Sequence, residues 1–506
     1  MASTLDYMAL PRPEGYPGNL GCPFVDYEND SRCALVDLHD PLAPRSYSFK
    51  QLHELSNAIA RGMLKAGLVA GDRIGILSRN QMGFVACLLG AMRAGIVPVP
   101  VNIKLAPETC HYILQDAGVK LVFLESSYQK QVPADISTIT WETMFESFLD
   151  PGPFTAFEPD AHSVAIQPYT SGSTGRPKGV LLSHFGQNWS RRILAHTRKT
   201  TREDVILVAA PLYHKNALNA IKQGLTAGAK LILMPQFNTA HYIAAIGQYG
   251  CTVISGVPTM MSMMLAQDEL LRHTQTTQVR TIMMGSAPSS AQLIHQLRLT
   301  FPQAEILVVY GVTEGGPVPL GPHPKGLPRP PQSIGCPYWG TEARLVHGPS
   351  PHEGELALKN PGTLLGYHNL PEETAKRIKD GWYMTGDICR KDEAGFFFFV
   401  GRTDDMFVCG GENIFPIEVE SLLERHPSVH QAFVMPMDHL LKGSVPYAFV
   451  VLRKNKQASE EELKQFALAH GPVYQHPRRV FFMDQLPLAG TNKIDKAALK
   501  RIAIND

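Results

Sequence analysis

The chain has 506 residues, of which 44% are hydrophobic and 18% are charged, and its 47 Lys and Arg residues nearly balance 46 Asp and Glu residues. This length is too great for one hydrophobic core, so we expect at least two domains. The near-neutral charge creates no large field to attract nucleic acid or an anionic membrane, and we expect neither as a partner.

Helical and strand patterns alternate through most of the first 400 residues. Helices are predicted at 48–67, 81–94 and 107–118, and strands at 72–78, 96–102 and just after residue 118. Similar alternation returns at 204–235, 243–258 and 279–310. This order predicts mostly parallel sheets that are covered by helices.

The pattern changes after about residue 320, where proline and glycine become frequent and short strands such as "GELALKNPG" and "GFFFFVGR" predict a smaller β-rich subdomain. From Thr403 onward, strands and helices predict a compact α+β unit that is large enough to fold and move by itself. We therefore predict an α/β fold with an N-terminal domain at 1–402 and a smaller C-terminal domain at 403–506.

The cysteines and the N-terminus indicate a cytoplasmic protein. The eight cysteines are scattered without a CxxC pair, which is typical of reduced thiols. The first residues lack the basic start and apolar core of a signal peptide. The most apolar window, residues 82–101, contains Arg93 and several glycines and prolines, so we expect no membrane span.

A run of hydroxyl and glycine residues between 168 and 184 is a candidate polyphosphate site. Hydroxyls and exposed backbone amides donate to anionic oxygens, glycines allow close approach, and a lysine adds positive charge. The run is not a Walker motif, because no Gly-Lys-Ser/Thr closes it. Its residues are Thr170, Ser171, Gly172, Ser173, Thr174, Gly175 and Lys178.

Four further stretches suit the same ligand. "YGVTEGGP" follows an apolar strand, and it offers Tyr310 to stack on a nucleobase, Thr313 to donate to a phosphate and Glu314 to hold Mg²⁺. A carboxylate for ribose hydroxyls ends the stretch "GWYMTGD". A cation and a Gly-Gly pair lie in "GRTDDMFVCGGENIFP", and a loop lysine lies in "LAGTNKIDK". Singly, each has an ordinary structural explanation as a turn or surface charge, but their order favours a nucleotide site.

These motifs resemble the acyl-adenylate-forming superfamily, which comprises acyl- and aryl-CoA ligases, firefly-type luciferases and peptide-synthetase adenylation domains. "YTSGSTGRPKGV" is the most specific signature, and the similarity extends over nearly the whole chain. The resemblance implies a large N-terminal domain of αβ layers with a β-barrel-like part, and a small mobile C-terminal lid. It also implies a reaction in which a carboxylic acid, Mg·ATP and CoA form acyl-CoA, AMP and pyrophosphate through an acyl-adenylate.

The resemblance assigns a role to each motif. The run from Thr170 to Lys178 would hold the β- and γ-phosphates, with Thr174 and Glu314 on Mg²⁺, and Lys493 would bridge the carboxylate and the α-phosphate. Thr313 would serve the α-phosphate. The other nucleotide positions are Gly285, Ser286, Ala287, Pro288, Tyr310 near adenine, Gly311, and Asp387 and Arg402 on the ribose.

The resemblance places the acid pocket at the segment "PLYHKNAL", where His214 would line the carboxylate site. The motifs are most similar to 4-coumarate–CoA or feruloyl-CoA and 4-chlorobenzoate–CoA ligases, which implies a flat aromatic acid; medium-chain or hydroxylated aliphatic acids are the alternative. An amide at Asn216 can bond a ring hydroxyl. Lys215 either turns outward into solvent, which we favour, or marks a polar substituent on the acid. The remaining pocket candidates are Gly315, Pro317 and Val318.

For the thiol step, Asp404 matches the family hinge, about which Lys493 would leave and the loop with Gly410 and Gly411 would enter. CoA is the expected thiol, although its contacts depart from the family pattern at Lys104, Lys442, Tyr474 and His476. A luciferase-like oxygenase, a peptide-synthetase adenylation domain and a nucleotide-binding pseudoenzyme remain competing interpretations. We expect a monomer or homodimer.

Overall fold

The computed structural model describes residues 18–23, 27–171, 176–287, 289–316, 318–337, 340–488 and 494–505. Five sheets organise this part of the chain, and four of them are formed before residue 403. The order of helices and strands agrees with the predicted α/β fold. In the described ranges, no helix is long and apolar enough to cross a membrane.

The first layer is a parallel sheet of four strands in the order β4-β3-β5-β6. The helix before it begins at a capping box, in which Ser48 accepts from the Gln51 amide and the Gln51 side chain accepts from the Ser48 amide. The bounds of this region are α1 Phe49–Lys65, β3 Arg73–Leu77, α2 Met82–Arg93, β4 Val97–Pro100, α3 Pro107–Asp116, β5 Val119–Leu124, β6 Ser137–Thr140 and α4 Phe145–Phe148.

The second layer is a sheet of seven strands in the order β14-β13-β12-β10-β11-β1-β2, parallel except for the edge strand β2. Its strands are β1 Cys33–Asp37, β2 Arg45–Ser48, β10 Val205–Val208, β11 Lys230–Leu233, β12 Val253–Gly256, β13 Thr281–Gly285 and β14 Glu305–Val309. The accompanying helices are α5 His184–Arg198, α6 Lys215–Ala227, α7 Thr239–Gln248, α8 Pro258–Leu265, α9 Asp268–Arg272 and α10 Ala291–Thr300.

A small sheet carries the hydroxyl-rich run. Two antiparallel partners, β7 and β8, and the short strand β19 all pair with β9. Their bounds are β7 Val164–Ile166, β8 Tyr169–Ser171, β9 Pro177–Ser183 and β19 Gly366–Tyr367. Because β8 and β9 pair directly, Thr170 lies opposite Lys178.

The β-rich subdomain predicted after residue 320 is an antiparallel sheet in the order β15-β16-β22-β21-β18-β17, with β20 beside β21. Its bounds are β15 Leu320–Gly321, β16 Ser333–Pro337, β17 Glu342–Ser350, β18 Glu353–Lys359, α11 Pro371–Arg377, β20 Ile378–Lys379, β21 Trp382–Lys391 and β22 Phe397–Arg402. The β21–β22 register sets Asp387 opposite Arg402.

The last part of the chain forms a sheet of its own, in the order β24-β23-β26-β25 with β27 beside β26. Its elements are β23 Phe407–Cys409, β24 Glu412–Ile414, α12 Pro416–Leu423, β25 Val429–His439, β26 Gly443–Leu452, α13 Glu460–His470, β27 Arg479–Met483 and α14 Lys496–Asn505. A separate apolar cluster that includes Ile414, Val419 and Leu463 forms its core. The division into domains at residue 402 stays a prediction.

Candidate active site

The carboxyl ends of neighbouring parallel strands place several predicted residues at one edge of the seven-stranded sheet. Ser286 follows β13, and Tyr310 follows β14, whose last residue pairs with Gly285. A Cβ atom on Gly285 would lie 2.7 Å from Val309 Cγ2, which explains glycine at this position. Ligands of open α/β sheets bind outside such strand ends.

A buried carboxylate forms the centre of the candidate ribose site. The Tyr310 hydroxyl donates to Asp387 Oδ2 at 2.6 Å, and Arg402 Nη1 donates to Oδ1 at 2.8 Å. Burial raises the pKa of the Asp387 carboxyl, and the nearby Arg402 guanidinium partly opposes this shift. Each carboxylate oxygen has a second lone pair, so Asp387 can still accept hydroxyls of a ligand.

The end of the cleft that was predicted to hold the phosphates contains a second carboxylate. Thr170 Oγ1 donates to Glu314 Oε1 at 3.0 Å, and the Tyr367 hydroxyl approaches the same oxygen at 3.4 Å. Where the chain is described, no group of three or more His, Cys, Asp or Glu residues is arranged to hold a metal ion. Mg²⁺ bound with nucleotide phosphates needs only one or two carboxylates, so Glu314 fits that role.

Lys178 of the hydroxyl-rich run is held by a carboxylate from α11. Its Nζ lies 2.7 Å from Glu373 Oε2, and Lys376 Nζ lies 2.6 Å from the other oxygen. Hydrogen bonds from Lys178 and then Lys376 lower the pKa of the Glu373 carboxyl to about 2. Lys178 is nearly buried, so a phosphate that contacts it must share it with Glu373 or displace Glu373.

On the acid side, the interpretation that Lys215 turns outward is wrong. As the first residue of α6, it points at the loop after β14, and its Nζ donates to the Thr313 carbonyl at 2.9 Å. Burial lowers the pKa of the Lys215 ammonium to about 7, and the Glu314 carboxylate partly opposes this shift. His214 caps the same helix, and its ring packs edge-on against Tyr213.

Asn219 is a pocket residue that the sequence interpretation missed. It lies one helical turn after Asn216, and both line the same cleft. Its side chain is 7% exposed, and in the described part of the chain its Oδ1 has no hydrogen-bond partner. The spacing of two asparagines on one helix face was the available signal.

One cleft of about 1740 Å³ brings most of the predicted residues together. These are Thr170, Lys178, His214, Lys215, Asn216, Gly285, Ser286, Ala287, Tyr310, Gly311, Thr313, Glu314, Val318, Asp387, Arg402 and Asp404. Gly315 is packed behind the wall, where a Cβ atom would lie 2.9 Å from Tyr383 Cδ1. Ser171 ends β8.

The residues assigned to CoA lie outside this cleft lining. Gly410 and Gly411 form the turn between β23 and β24 with φ of 62° and 95°, and the Gly410 amide donates to the Lys442 carbonyl. The His476 ring contacts the Arg478 guanidinium, Tyr474 packs on the core of the last sheet, and Lys104 is exposed in the turn after β4.

Several predicted positions lie outside the described residues, and their roles stay predictions. They are Gly172, Ser173, Thr174, Gly175, Pro288, Pro317 and Lys493.

The fold and the cleft define an enzyme of the α/β class whose cleft has two chemically different ends, the buried carboxylate of Asp387 and the hydroxyl and lysine of Thr170 and Lys178. The AMP-binding enzyme family model matches residues 27–368, and the model of the AMP-binding enzyme C-terminal domain matches residues 418–493. The chain belongs to the AMP-binding enzyme family. It is an AMP-forming acid–thiol ligase, and ATP and Mg²⁺ serve its reaction.

Individual relatives match over most of their length. The chain is 33% identical to the fatty acid–[acyl-carrier-protein] ligase ScoC of Streptomyces coeruleorubidus, with 91% of this chain and 94% of the relative covered. It is 32% identical to a feruloyl-CoA synthase of Amycolatopsis sp, with 88% of this chain and 93% of the relative covered. The crystal structure of ATP-bound MatB from Rhodopseudomonas palustris matches with a TM-score of 0.86 at 25% identity, covering 96% of this chain and 99% of that one.

Proposed function

We propose that the chain is an acid–CoA ligase that acts through an acyl-adenylate. In the first half-reaction, a carboxylate oxygen attacks the α-phosphorus of ATP and pyrophosphate leaves. In the second, the CoA thiol attacks the acyl carbon, AMP leaves, and the thiol proton passes to solvent. The observation that carries this proposal is that the Asp387–Arg402 pair and the Thr170–Glu314 pair line one cleft.

The proposed roles of Asp387, Arg402, Glu314 and Lys178 are supported by their place in the cleft, and that of Lys493 by its match to the family motif. Asp387 and Arg402 bind the ribose, Glu314 holds Mg²⁺, and Lys178 contacts the terminal phosphates after leaving Glu373. Lys493 bridges the acid carboxylate and the α-phosphate, which reduces repulsion between two anions as they approach. Each role is electrostatic positioning of a charge that develops or moves during the reaction.

We also propose that residues 403–506 act as a lid that rotates about Asp404 between the two half-reactions. The support is topological, because the last sheet is built entirely from residues 407–483 and has its own apolar core. Eight free cysteines support action in a reducing cytoplasm. We also propose a monomer or a homodimer.

For the acid, we propose an aromatic carboxylate. Support comes from the feruloyl-CoA synthase relative and from Asn216 and Asn219, whose amides suit a ring hydroxyl. Aliphatic acids are the second candidate, favoured by the fatty acid ligase relative.

The test is CoA- and ATP-dependent AMP release across ferulate, coumarate, benzoates, hexanoate, octanoate and short hydroxy acids. We expect turnover to concentrate on hydroxycinnamates, and Asn216→Leu to lower kcat/KM for coumarate more than for cinnamate. Turnover confined to aliphatic acids would overturn the aromatic assignment while keeping the mechanism. Absence of CoA-dependent AMP release with every acid would overturn the assignment of CoA as the thiol.

A further inference from the structure

The loop after β14, residues 310–316, carries the two groups that we propose for the α-phosphate and Mg²⁺, Thr313 and Glu314. Other parts of the chain anchor it on either side of the peptide bond that joins these two residues. Before that bond, the Tyr310 hydroxyl donates to Asp387 Oδ2 at 2.6 Å. After it, the Leu364 amide donates to the Glu314 carbonyl at 2.7 Å.

Lys215 holds the peptide bond itself, and it does so from the helix α6. Its Nζ donates to the Thr313 carbonyl at 2.9 Å, although the two residues are 98 positions apart in the chain. That carbonyl belongs to the peptide group between Thr313 and Glu314. Because a peptide group is planar, a contact that fixes its oxygen restricts the backbone of both residues.

The same turn of α6 carries the residues of the acid side. His214 is the N-cap of the helix, and Lys215 and Asn216 are its first two residues. His214 and Asn216 line the cleft together with Thr313 and Glu314. The hydrogen bond of Lys215 therefore connects the element that we propose for the acid to the loop that we propose for the α-phosphate.

The positive charge of Lys215 strengthens this connection. Burial lowers the pKa of the Lys215 ammonium, and the Glu314 carboxylate opposes this shift, so the two groups attract each other. Hydrogen bonds from a charged donor are also stronger than those from a neutral one. A second lysine of the helix provides a comparison: Lys222 lies about two turns farther along α6, and its Nζ donates to Gln187 Oε1 of α5 at 3.0 Å.

We propose that Lys215 is a positioning residue for adenylation, which holds the Thr313–Glu314 peptide in a fixed geometry relative to the acid-binding turn of α6. This inference rests on the proposed acyl-adenylate mechanism. Lys215 acts through Thr313 and Glu314 and not through a bond to the acid. Attack of a carboxylate on the α-phosphorus requires close alignment of the two groups, so loss of this hold lowers the rate of attack. Lys215 therefore supports the activation of every acid equally and does not select among acids.

The test uses acid-dependent exchange of pyrophosphate into ATP, which measures adenylation without CoA. Lys215→Met removes the charge and the donors while keeping the length of the side chain. We expect kcat to fall by about 30-fold, the effect of a lost charge-assisted hydrogen bond in the transition state. KM for ATP and for the acid should change by less than about threefold, and the fall in kcat should be the same for each acid that the wild type activates.

Two further variants control for a general defect. Lys222→Met removes a lysine of the same helix that is held by α5 instead of the 310–316 loop, and its kcat should stay within about twofold of the wild type. Lys215→Arg keeps a charged donor and should recover about tenfold of the lost kcat. The thermal unfolding midpoint of each variant verifies its fold.

Hydrogen exchange tests the hold on the loop without any turnover. In the protein without ligands, amides of the peptide 310–316 should exchange about fivefold faster or more in Lys215→Met than in the wild type. Lys222→Met should leave the exchange of this peptide unchanged.

A loss that appears in KM for one class of acid would overturn the positioning role and assign Lys215 to binding of the acid. Equal losses of kcat in Lys215→Met and Lys222→Met, or unchanged exchange of the 310–316 peptide in Lys215→Met, would overturn it as well. Absence of pyrophosphate exchange by the wild type with every acid would instead overturn the acyl-adenylate mechanism, because hydrogen exchange decides separately whether Lys215 holds the loop.

Discussion

At the scale of single residues, the site depends on one buried carboxylate. Asp387 is 3% exposed, and both of its oxygens accept hydrogen bonds from side chains of other elements. Burial raises the pKa of this carboxyl and the Arg402 guanidinium opposes the shift, which favours the anion that we propose accepts the ribose hydroxyls. The same pair also determines the position of the Tyr310 ring.

Replacing this carboxylate should mainly affect ATP. Asp387→Asn removes the anion while keeping the shape, and we expect kcat/KM for ATP to fall by about 100-fold, since bonds to a charged acceptor are lost. Tyr310→Phe removes one hydrogen-bond donor only and should lower kcat/KM for ATP by about tenfold. Initial rates of pyrophosphate release at varied ATP provide the measurement; equal, small effects of both variants would contradict the ribose assignment.

At the scale of elements, the strand β9 and the helix α11 are joined through Lys178 and Glu373, which lie 195 positions apart in the chain. This ion pair occupies the lysine that we propose for the triphosphate. The pair is partly shielded, with side-chain exposures of 10% and 23%, so its contribution exceeds that of a surface pair only modestly.

Freeing Lys178 should strengthen ATP binding. We expect Glu373→Gln to lower KM for ATP by about fivefold, which corresponds to roughly 1 kcal/mol for the pair that no longer has to break. Glu372→Gln, a change of the neighbouring carboxylate that does not pair with Lys178, serves as the control. A rise in KM for Glu373→Gln would show instead that the pair orients Lys178 for phosphate.

At the scale of the whole molecule, Arg453 just after β26 and Glu424 at the end of α12 contact the first residues of the α10 region beside the seven-stranded sheet. Arg453 Nη2 donates to Gln292 Oε1 at 2.5 Å across this contact. Two glutamates on or next to α12 line the cleft nearby, and burial raises the pKa of Glu420 to about 8 and that of Glu424 to about 7. Their neutral forms are therefore part of the packed state.

This packing predicts a pH-dependent stability. Both folded-state pKa values lie above the ordinary value of 4.5, so this stabilisation is complete below pH 4.5 and is lost as the pH rises through 7 to 8. In calorimetry, we expect the unfolding midpoint of Glu420→Gln/Glu424→Gln to exceed that of the wild type by about 3 °C or more at pH 8.5. The difference should vanish near pH 4.5; a difference independent of pH would refute this explanation.

The proposed rotation of the lid predicts opposite defects in the two half-reactions. Asp404→Pro restricts the hinge and should slow thioester formation from supplied acyl-adenylate by about 100-fold, with adenylation largely retained. Lys493→Ala should slow adenylation and largely spare the thioester step. Single-turnover assays of each half-reaction test both variants, and equal losses in both halves would contradict the alternation.

Much of the architecture is readable from local sequence. The Ser48 cap and the order of apolar strands and helices predict α1 through β5, because capping and periodicity depend on neighbouring residues. The five nucleotide motifs likewise identify the family before any contact is known, since each is a short run with its own chemistry.

Side-chain directions and partners could not be predicted from local sequence. The sequence alone determined the class of fold, the reaction type and the candidate nucleotide residues of this protein. Only the tertiary structure decided that Lys215 points inward, that Glu373 holds Lys178, and that Gln187 Oε1 accepts from Lys222. These facts arise from contacts between residues distant in the chain, and no local pattern encodes which distant group a side chain will meet.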